Sequence, residues 1–426
     1  MKRRLLPILM TLVLVCALPI WAAFVTSGDV TNPLVCTAGA TSSEESAVEK
    51  LKLAISRGGT VQLTEDIEIT QTLYVERSMT IDLNGHVLKM TGDGSVLRVS
   101  DRATLTITDS RPQNPHTEPY AGLPAGGVIT GGTGTDVPGI HYVGGAVYLK
   151  EGTTLKLEGG TLTGNSCSSI CIDGATFVMS GGTITGETVG VHNNVGIFTM
   201  IGGRITGCSD RGVYVYNGNM TMSGTAYIGG NPNARKEDIY VYESDHKHTD
   251  LSVTGGTIAG NVRIVFLESL RPTQDELKAA ANSVVKEQGV FDGHIKVEIG
   301  ISGTCVDYNS VNFIDEVAKT RTLKLVLQPN AVEEPETPAT VNGREFMYWT
   351  KEGVSEAWDF STEIKGPLTL YAVRTPASSG YYYYPTTDTK ADDAKGSPKT
   401  ADPGVALYAA LSILSLTGLT CTAKKR

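Results

Sequence analysis

From residue 60 to residue 262, apolar and polar side chains alternate in runs of three or four, separated by glycine or polar corners. Val61-Gln62-Leu63, Ile67-Glu68-Ile69 and Leu73-Tyr74-Val75 open the series, and Leu105-Thr106-Ile107 continues it. A period of two marks short strands with one buried face. Further along, the alternation becomes a repeat. Gly-Gly-Thr-(Leu/Ile)-Thr-Gly begins at Gly159 and Gly181, then at Gly202 with Arg204 in the Thr place, and degenerate copies start at Gly126, Gly224 and Gly255. Successive starts from Gly159 to Gly224 lie 22, 21 and 22 residues apart. The next step is 31, which implies an inserted polar loop over 231–250.

Within the copies, Phe177 and Met179 keep step with Phe198 and Met200, then with Met220 and Met222. Leu162, Ile184, Ile205 and Ile258 share a second position, and Ile170, Val191 and Val213 a third. Three short strands per copy make each copy one coil of a stacked chain, with coils ~4.8 Å apart and like side chains in inward columns. The stretch 60–262 holds about nine such coils, on the order of 45 Å of stack. Open ends of a parallel stack need covering. A helix over Ser43–Ser56, with Val48, Leu51, Ala54 and Ile55 on one stripe, suits the first end within a segment 24–59. At the other end, a helix over Thr273–Gln288 and strands near Ile295 and Leu323 form a small α+β unit over 263–330.

Both termini break this grammar. Lys2, Arg3 and Arg4 precede an apolar run from Leu5 to Ile20 and then Trp21-Ala22-Ala23, the form of a secretory signal peptide over 1–23. At the far end Gly404–Ala423 carries no charge and is closed by Lys424-Lys425-Arg426, long enough to cross a bilayer. Removing six terminal cations and one acid takes the formal charge from −9 for the whole chain to −14 for 24–400. That acidity supplies no surface for phosphate, so nucleic acid is excluded as a partner. Glycine, 48 of 426 residues, follows no three-residue period, which excludes collagen.

Three resemblances follow from these residues. Ser397-Pro398-Lys399-Thr400-Ala401, the apolar span 404–423 and the basic tail together resemble the cell-wall sorting signal of Gram-positive surface proteins over 397–426. Ser397 stands for the usual Leu and Ala401 for the usual Gly. The resemblance implies a sortase cutting after Thr400 and joining it to peptidoglycan; the residue-level alternative is an ordinary membrane anchor. Phrases such as Ile81-Asp82-Leu83-Asn84-Gly85 and Met179-Ser180-Gly181-Gly182-Thr183-Ile184 resemble the right-handed parallel β-helix (pectate-lyase-like) repeats of bacterial surface proteins. Phe346-x-x-Trp349, Trp358-Asp359-Phe360 and Leu368-Thr369-Leu370-Tyr371-Ala372 look like an internalin-type B repeat (Listeria–Bacteroides repeat), a β-grasp-like module over 331–374, and 375–396 reads as a spacer. The expected fold is therefore mainly β: a right-handed parallel β-helix with small C-terminal α+β and β-grasp-like modules, an N-terminal signal helix and a C-terminal transmembrane helix.

Candidate chemistry is sparse. Counting 21 or 22 residues per coil aligns Cys171, His192 and Tyr214 in one outward column and Asp173 with Asn194 in another, while Asp210 and Arg211 sit just before Tyr214. His192, Asp210, Arg211 and Tyr214 are the catalytic candidates of a polysaccharide lyase or glycoside hydrolase, since such chemistry needs carboxylates and a cation side by side. Against it stands a surface of solvated residues and turn formers. His246-x-His248 is too small a set for a metal site, and no metal or cofactor is expected. Cys36, Cys167, Cys171, Cys208 and Cys305 are odd in number, and burial as small apolar residues is the reading for them. The function expected is an extracellular, wall-anchored adhesin binding a glycan or a host surface protein, with sortase and peptidoglycan as partners. Membrane contact is limited to the C-terminal segment before sorting.

Overall fold

The computed structural model describes residues 36–37, 46–137, 141–232, 237–245, 251–284, 290–291, 293–300 and 305–376. The signal segment 1–23, Ser43, His246 and His248, nearly all of the spacer, the sorting residues Ser397–Ala401 and the span 404–423 lie outside these residues. Among the described residues no helix is long and apolar enough to cross a membrane. The described residues all fall within one compact unit.

The chain is mainly β and from Gly59–Gln62 to Asn261–Phe266 visits three sheets in rotation, broken once by a separate hairpin, an arrangement compatible with a parallel β-helix. Within the stack each strand pairs in parallel with the strand one turn earlier and the strand one turn later. The predicted columns are the register itself. Leu155, Phe177, Phe198 and Met220 are successive partners in the first sheet, and Leu162, Ile184, Ile205, Ile228 and Ile258 in the second. All are fully buried, and the Phe177 and Phe198 rings stack 4.8 Å apart with planes 2° from parallel. Strand spacing and ring stacking distance coincide here, so each coil adds buried area without shifting the next.

The Gly-Gly pairs explain the sharpness of the corner before the second sheet. Gly182 has φ +72°, and a Cβ on its neighbour Gly181 would stand 2.1 Å from the Glu158 carbonyl oxygen of the previous coil. A side chain at Gly181 would push adjacent coils apart.

The two ends are built differently. Helix α1 (Ala47–Arg57) begins at Ser46, whose Oγ accepts from the Glu49 N–H, three residues later than the predicted start at Ser43. Leu51, Ala54 and Ile55 face the first coil. At the other end, coil strands continue past the predicted boundary at 262: Asn261–Phe266 and His294–Ile299 still pair in parallel in the third sheet. Helix α2 (Gln274–Val284) leaves between them, capped reciprocally by Thr273 and Glu276, and buries Leu277, Ala280, Ala281 and Val284. The third sheet then continues antiparallel through Cys305–Asp315 and its hairpin partner Thr320–Leu327, while Leu368–Arg374 pairs with Cys305–Asp315 in parallel. One apolar cluster joins Val311, Phe313 and Val326 to Val332, Trp349 and Leu370. The predicted division at 330 therefore runs through a single core.

Candidate functional site

In a strand every second side chain points outward. Parallel stacking turns those positions into columns on the outer face of the third sheet. The central column contains the sequence candidates and extends well beyond them. It begins Tyr74, Arg98, Tyr148, Cys171, continues through His192, Tyr214 and Tyr240, and ends at Arg263 and Lys296. Beside it runs Asp173, Asn194, Tyr216 and Tyr242.

The aromatic part of this face is continuous. The His192 and Tyr214 rings lie 4.8 Å apart, Tyr214 and Tyr240 5.4 Å, and Tyr216 and Tyr242 5.6 Å with nearly parallel planes. All five side chains are half-buried. The Arg211 guanidinium sits 4.3 Å from the Tyr240 ring centre and 5.6 Å from that of Tyr214. Its Nη1 donates to Asp210 Oδ2 at 2.6 Å, and its Nε stands 3.6 Å from Glu237. Arg263 lies 5.5 Å from the Tyr240 ring centre and donates to Glu298 and Glu237. Lys296 reaches Glu298 at 2.7 Å. Three cations and three carboxylates thus neutralise one another along the sheet. Farther toward the N-terminal end, Arg98 lies between the Tyr74 and Tyr148 rings, 6.0 and 5.2 Å from their centres.

The structure therefore brings all four catalytic candidates together. What it gives them is poor acid–base chemistry near neutral pH. Burial drives the His192 imidazole down to about 4, against the opposing pull of Asp173, so it stays neutral. Burial pushes the Tyr214 hydroxyl up to about 12. A general base works best with its pKa near the working pH, and neither group meets that condition. Among the described residues no group of three or more His, Cys, Asp or Glu is placed to hold a metal ion.

Cys171 is fully buried although it sits in the outward column. A hairpin of Thr135–Val137 and His141–Val143, unforeseen in the sequence, lies against its strand, and a Cβ on Gly144 would stand 3.1 Å from the Cys171 Cβ. Cys208 is buried as expected, whereas Cys305 is exposed and departs from that reading.

A second polar column escaped the sequence reading. Asn165, Glu187, Cys208 and Asn231 each follow the glycine that closes a repeat, and all four are buried at the corner between the second and third sheets. The Asn165 N–H and Nδ2 donate to Glu187, the Cys208 N–H donates to Asn231 Oδ1 at 2.7 Å, and Asn231 Nδ2 donates to Asp238. Burial raises Glu187 to about 7 and Asp238 to about 6, in both cases against hydrogen bonds that favour the carboxylate. No protein family, no curated protein and no solved structure matches the chain.

Proposed function

We propose that the chain is a cell-wall-anchored bacterial surface protein whose β-helix presents the outer face of the third sheet to a glycan or a host surface protein and binds it without turnover. The observation that carries this reading is the aromatic strip of His192, Tyr214, Tyr240, Tyr216 and Tyr242. Tyrosine offers an apolar body with a polar tip, which suits sugar rings and protein side chains alike. The neighbouring charges are already paired with one another, which leaves the rings as the groups that meet a ligand. A right-handed coil is the expected hand, because parallel crossover connections are right-handed almost without exception. In this reading 1–23 directs export, sortase cuts between Thr400 and Ala401 within Ser397–Ala401, and 404–423 holds the chain in the membrane until then.

The close Asp210–Arg211 pair beside Tyr214 favours a second reading, a lyase or hydrolase of polysaccharide acting along the same face. One experiment separates the two. Chain 24–400 is applied to glycan and matrix-protein arrays, and in parallel to acidic polysaccharides with detection of new reducing or unsaturated ends. Binding that is lost in a Tyr214→Ala/Tyr240→Ala variant, with no new chain ends, is the expected result. Chain ends released by the parent and abolished by Asp210→Asn would establish the enzyme instead.

A further inference from the structure

At its C-terminal end the third sheet carries the hairpin strand Thr320–Leu327, which pairs with Cys305–Asp315 on one side. The direction of its peptide groups follows from a single bond. The Gln328 N–H donates to the Asp307 carbonyl at 2.8 Å, and along an antiparallel ladder bonded and non-bonded pairs alternate. Val326, Lys324 and Thr322 therefore bond to Asn309, Val311 and Phe313, while Leu323 and Leu325 turn their N–H and C=O to the other side. The Ser310 N–H, on the Gly293 carbonyl across the next strand, keeps the same parity. Among the described residues nothing bonds to the outward peptide groups of Leu323 or Leu325.

Proteins guard such an edge with charge, proline or a bulge. The run Thr322-Leu323-Lys324-Leu325-Val326-Leu327 has no proline and one charge, and its register with Cys305–Asp315 is unbroken. That one charge is turned back on its own chain: Lys324 Nζ donates to the Glu333 carbonyl at 3.0 Å and lies 3.9 Å from the Glu333 carboxylate. Leu323, Leu325 and Leu327 share one face, packed against the coil core yet only half-buried. A short apolar run of high β propensity at an unguarded edge is the form of a strand that pairs further.

We propose that this edge pairs antiparallel with the same strand of a second copy of the chain, about a two-fold axis at Lys324. Leu323 and Leu325 stand equally far from Lys324, so in this register each meets the other across the axis. Leu323 donates to and accepts from Leu325 of the second copy, and the reverse pair does the same, so all the outward groups of both leucines are used. A shift of one residue would set them against groups already bonded to the hairpin's other strand. The half-buried leucines meet on one face. On the other, the two Lys324 side chains face each other as lysine–glutamate pairs rather than bare cations, which removes the cost of opposing like charges. A contact of this symmetry uses the edge once per chain and stops at two copies.

Sedimentation and cross-linking of chain 24–400 test this, with Cys305→Ser removing the exposed thiol. The parent should sediment at twice the chain mass. Leu325→Pro deletes an outward donor and keeps the bonds to Cys305–Asp315, so it should halve that mass while the melting of the coils stays unmoved. Under mild oxidation Lys324→Cys should link two copies, because residues opposite each other on the axis form a non-bonded pair with Cα atoms ~4.5 Å apart. Thr322→Cys, on the same face but roughly 14 Å from its counterpart, should not. A monomeric parent would overturn the proposal. So would a dimer that persists in Leu325→Pro, or linking by Thr322→Cys as readily as by Lys324→Cys.

Discussion

The two ends of the coil stack solve one problem by opposite means. At the C-terminal end the sheets are not cut off but converted: the third sheet turns antiparallel at Cys305–Asp315, α2 covers the last coil, and Asn312 Nδ2 donates to the Phe291 carbonyl of the second sheet's last strand. At the N-terminal end one short helix lies over the first coil and, among the described residues, Cys36 and Thr37 cover one edge of three. The C-terminal closure also encloses a buried ion pair, with Arg374 Nε 2.9 Å from Asp315 Oδ2 and Nη1 on the Arg344 carbonyl. The hydrogen bonds from Arg374 hold the Asp315 carboxyl below its ordinary range against the effect of burial. A parallel stack has no intrinsic stop, because every finished coil offers the next one a template. The contrast teaches that stopping it takes either a change of strand direction or a plug.

The largest effect should come from breaking the converted end. Arg374→Met leaves Asp315 charged and buried, and should destabilise the C-terminal hairpins by about 4 kcal/mol. In urea this should appear as a separate early transition, with the coil transition unmoved. Next comes the plug. Leu51→Ala empties a fully buried site in α1 and should cost about 3 kcal/mol, lowering exchange protection first in the coil containing Gly59–Gln62.

Between the ends, the buried corner column should respond to pH alike whichever end is weakened. Glu187 binds its proton more tightly folded, with a pKa of about 7, than unfolded, near the ordinary 4.5. Its contribution is therefore full below pH 4.5 and disappears as pH rises through 7, a loss on the order of 3 kcal/mol. Asp238 adds a loss of the same sign at slightly lower pH. Glu187→Gln should flatten this slope and raise the melting temperature above pH 7, as thermal unfolding over pH 4 to 8 would record. The smallest effect separates the two caps. Thr273→Ala removes half of a reciprocal capping box and should cost about 1 kcal/mol. Ser46→Ala should cost somewhat less, because Ser46 supplies a single acceptor at 3.3 Å.

The interior was the most legible part of the molecule, for a physical reason. Phe177 and Phe198 must occupy the same place one coil apart, so the period is written in residue type. The outer face is under no such constraint. Its column could be followed from Cys171 to Tyr214, where the spacing holds at 21 and 22 residues. It was lost upstream, where 50 residues separate Arg98 from Tyr148, and at the 26-residue step from Tyr214 to Tyr240. Insertions lengthen corners, and past a single register shift between Glu237 and Ile239 Tyr240 and Arg263 still fall in line although counting misses them. The corner column of Asn165, Glu187, Cys208 and Asn231 was invisible for another reason: four unlike side chains fill one place because each finds a different hydrogen-bond partner. The C-terminal modules read as separate because their aromatic residues cluster in sequence, while the strand pairing that joins them to the third sheet is long-range.

The claim beneath all of this is that residues one coil apart stand directly over one another. Thr199 and Thr221 are register partners on the outer face of the first sheet, with hydroxyl oxygens 3.2 Å apart, and Val178 is the partner of Thr199 on its other side. Under mild oxidation, a Thr199→Cys/Thr221→Cys variant should form an intramolecular disulfide, because adjacent coils hold their Cα atoms within bonding reach, whereas Val178→Cys/Thr221→Cys, two coils and roughly 10 Å apart, should not. Failure of the first pair to bridge, or equal bridging by both, would contradict the stacking.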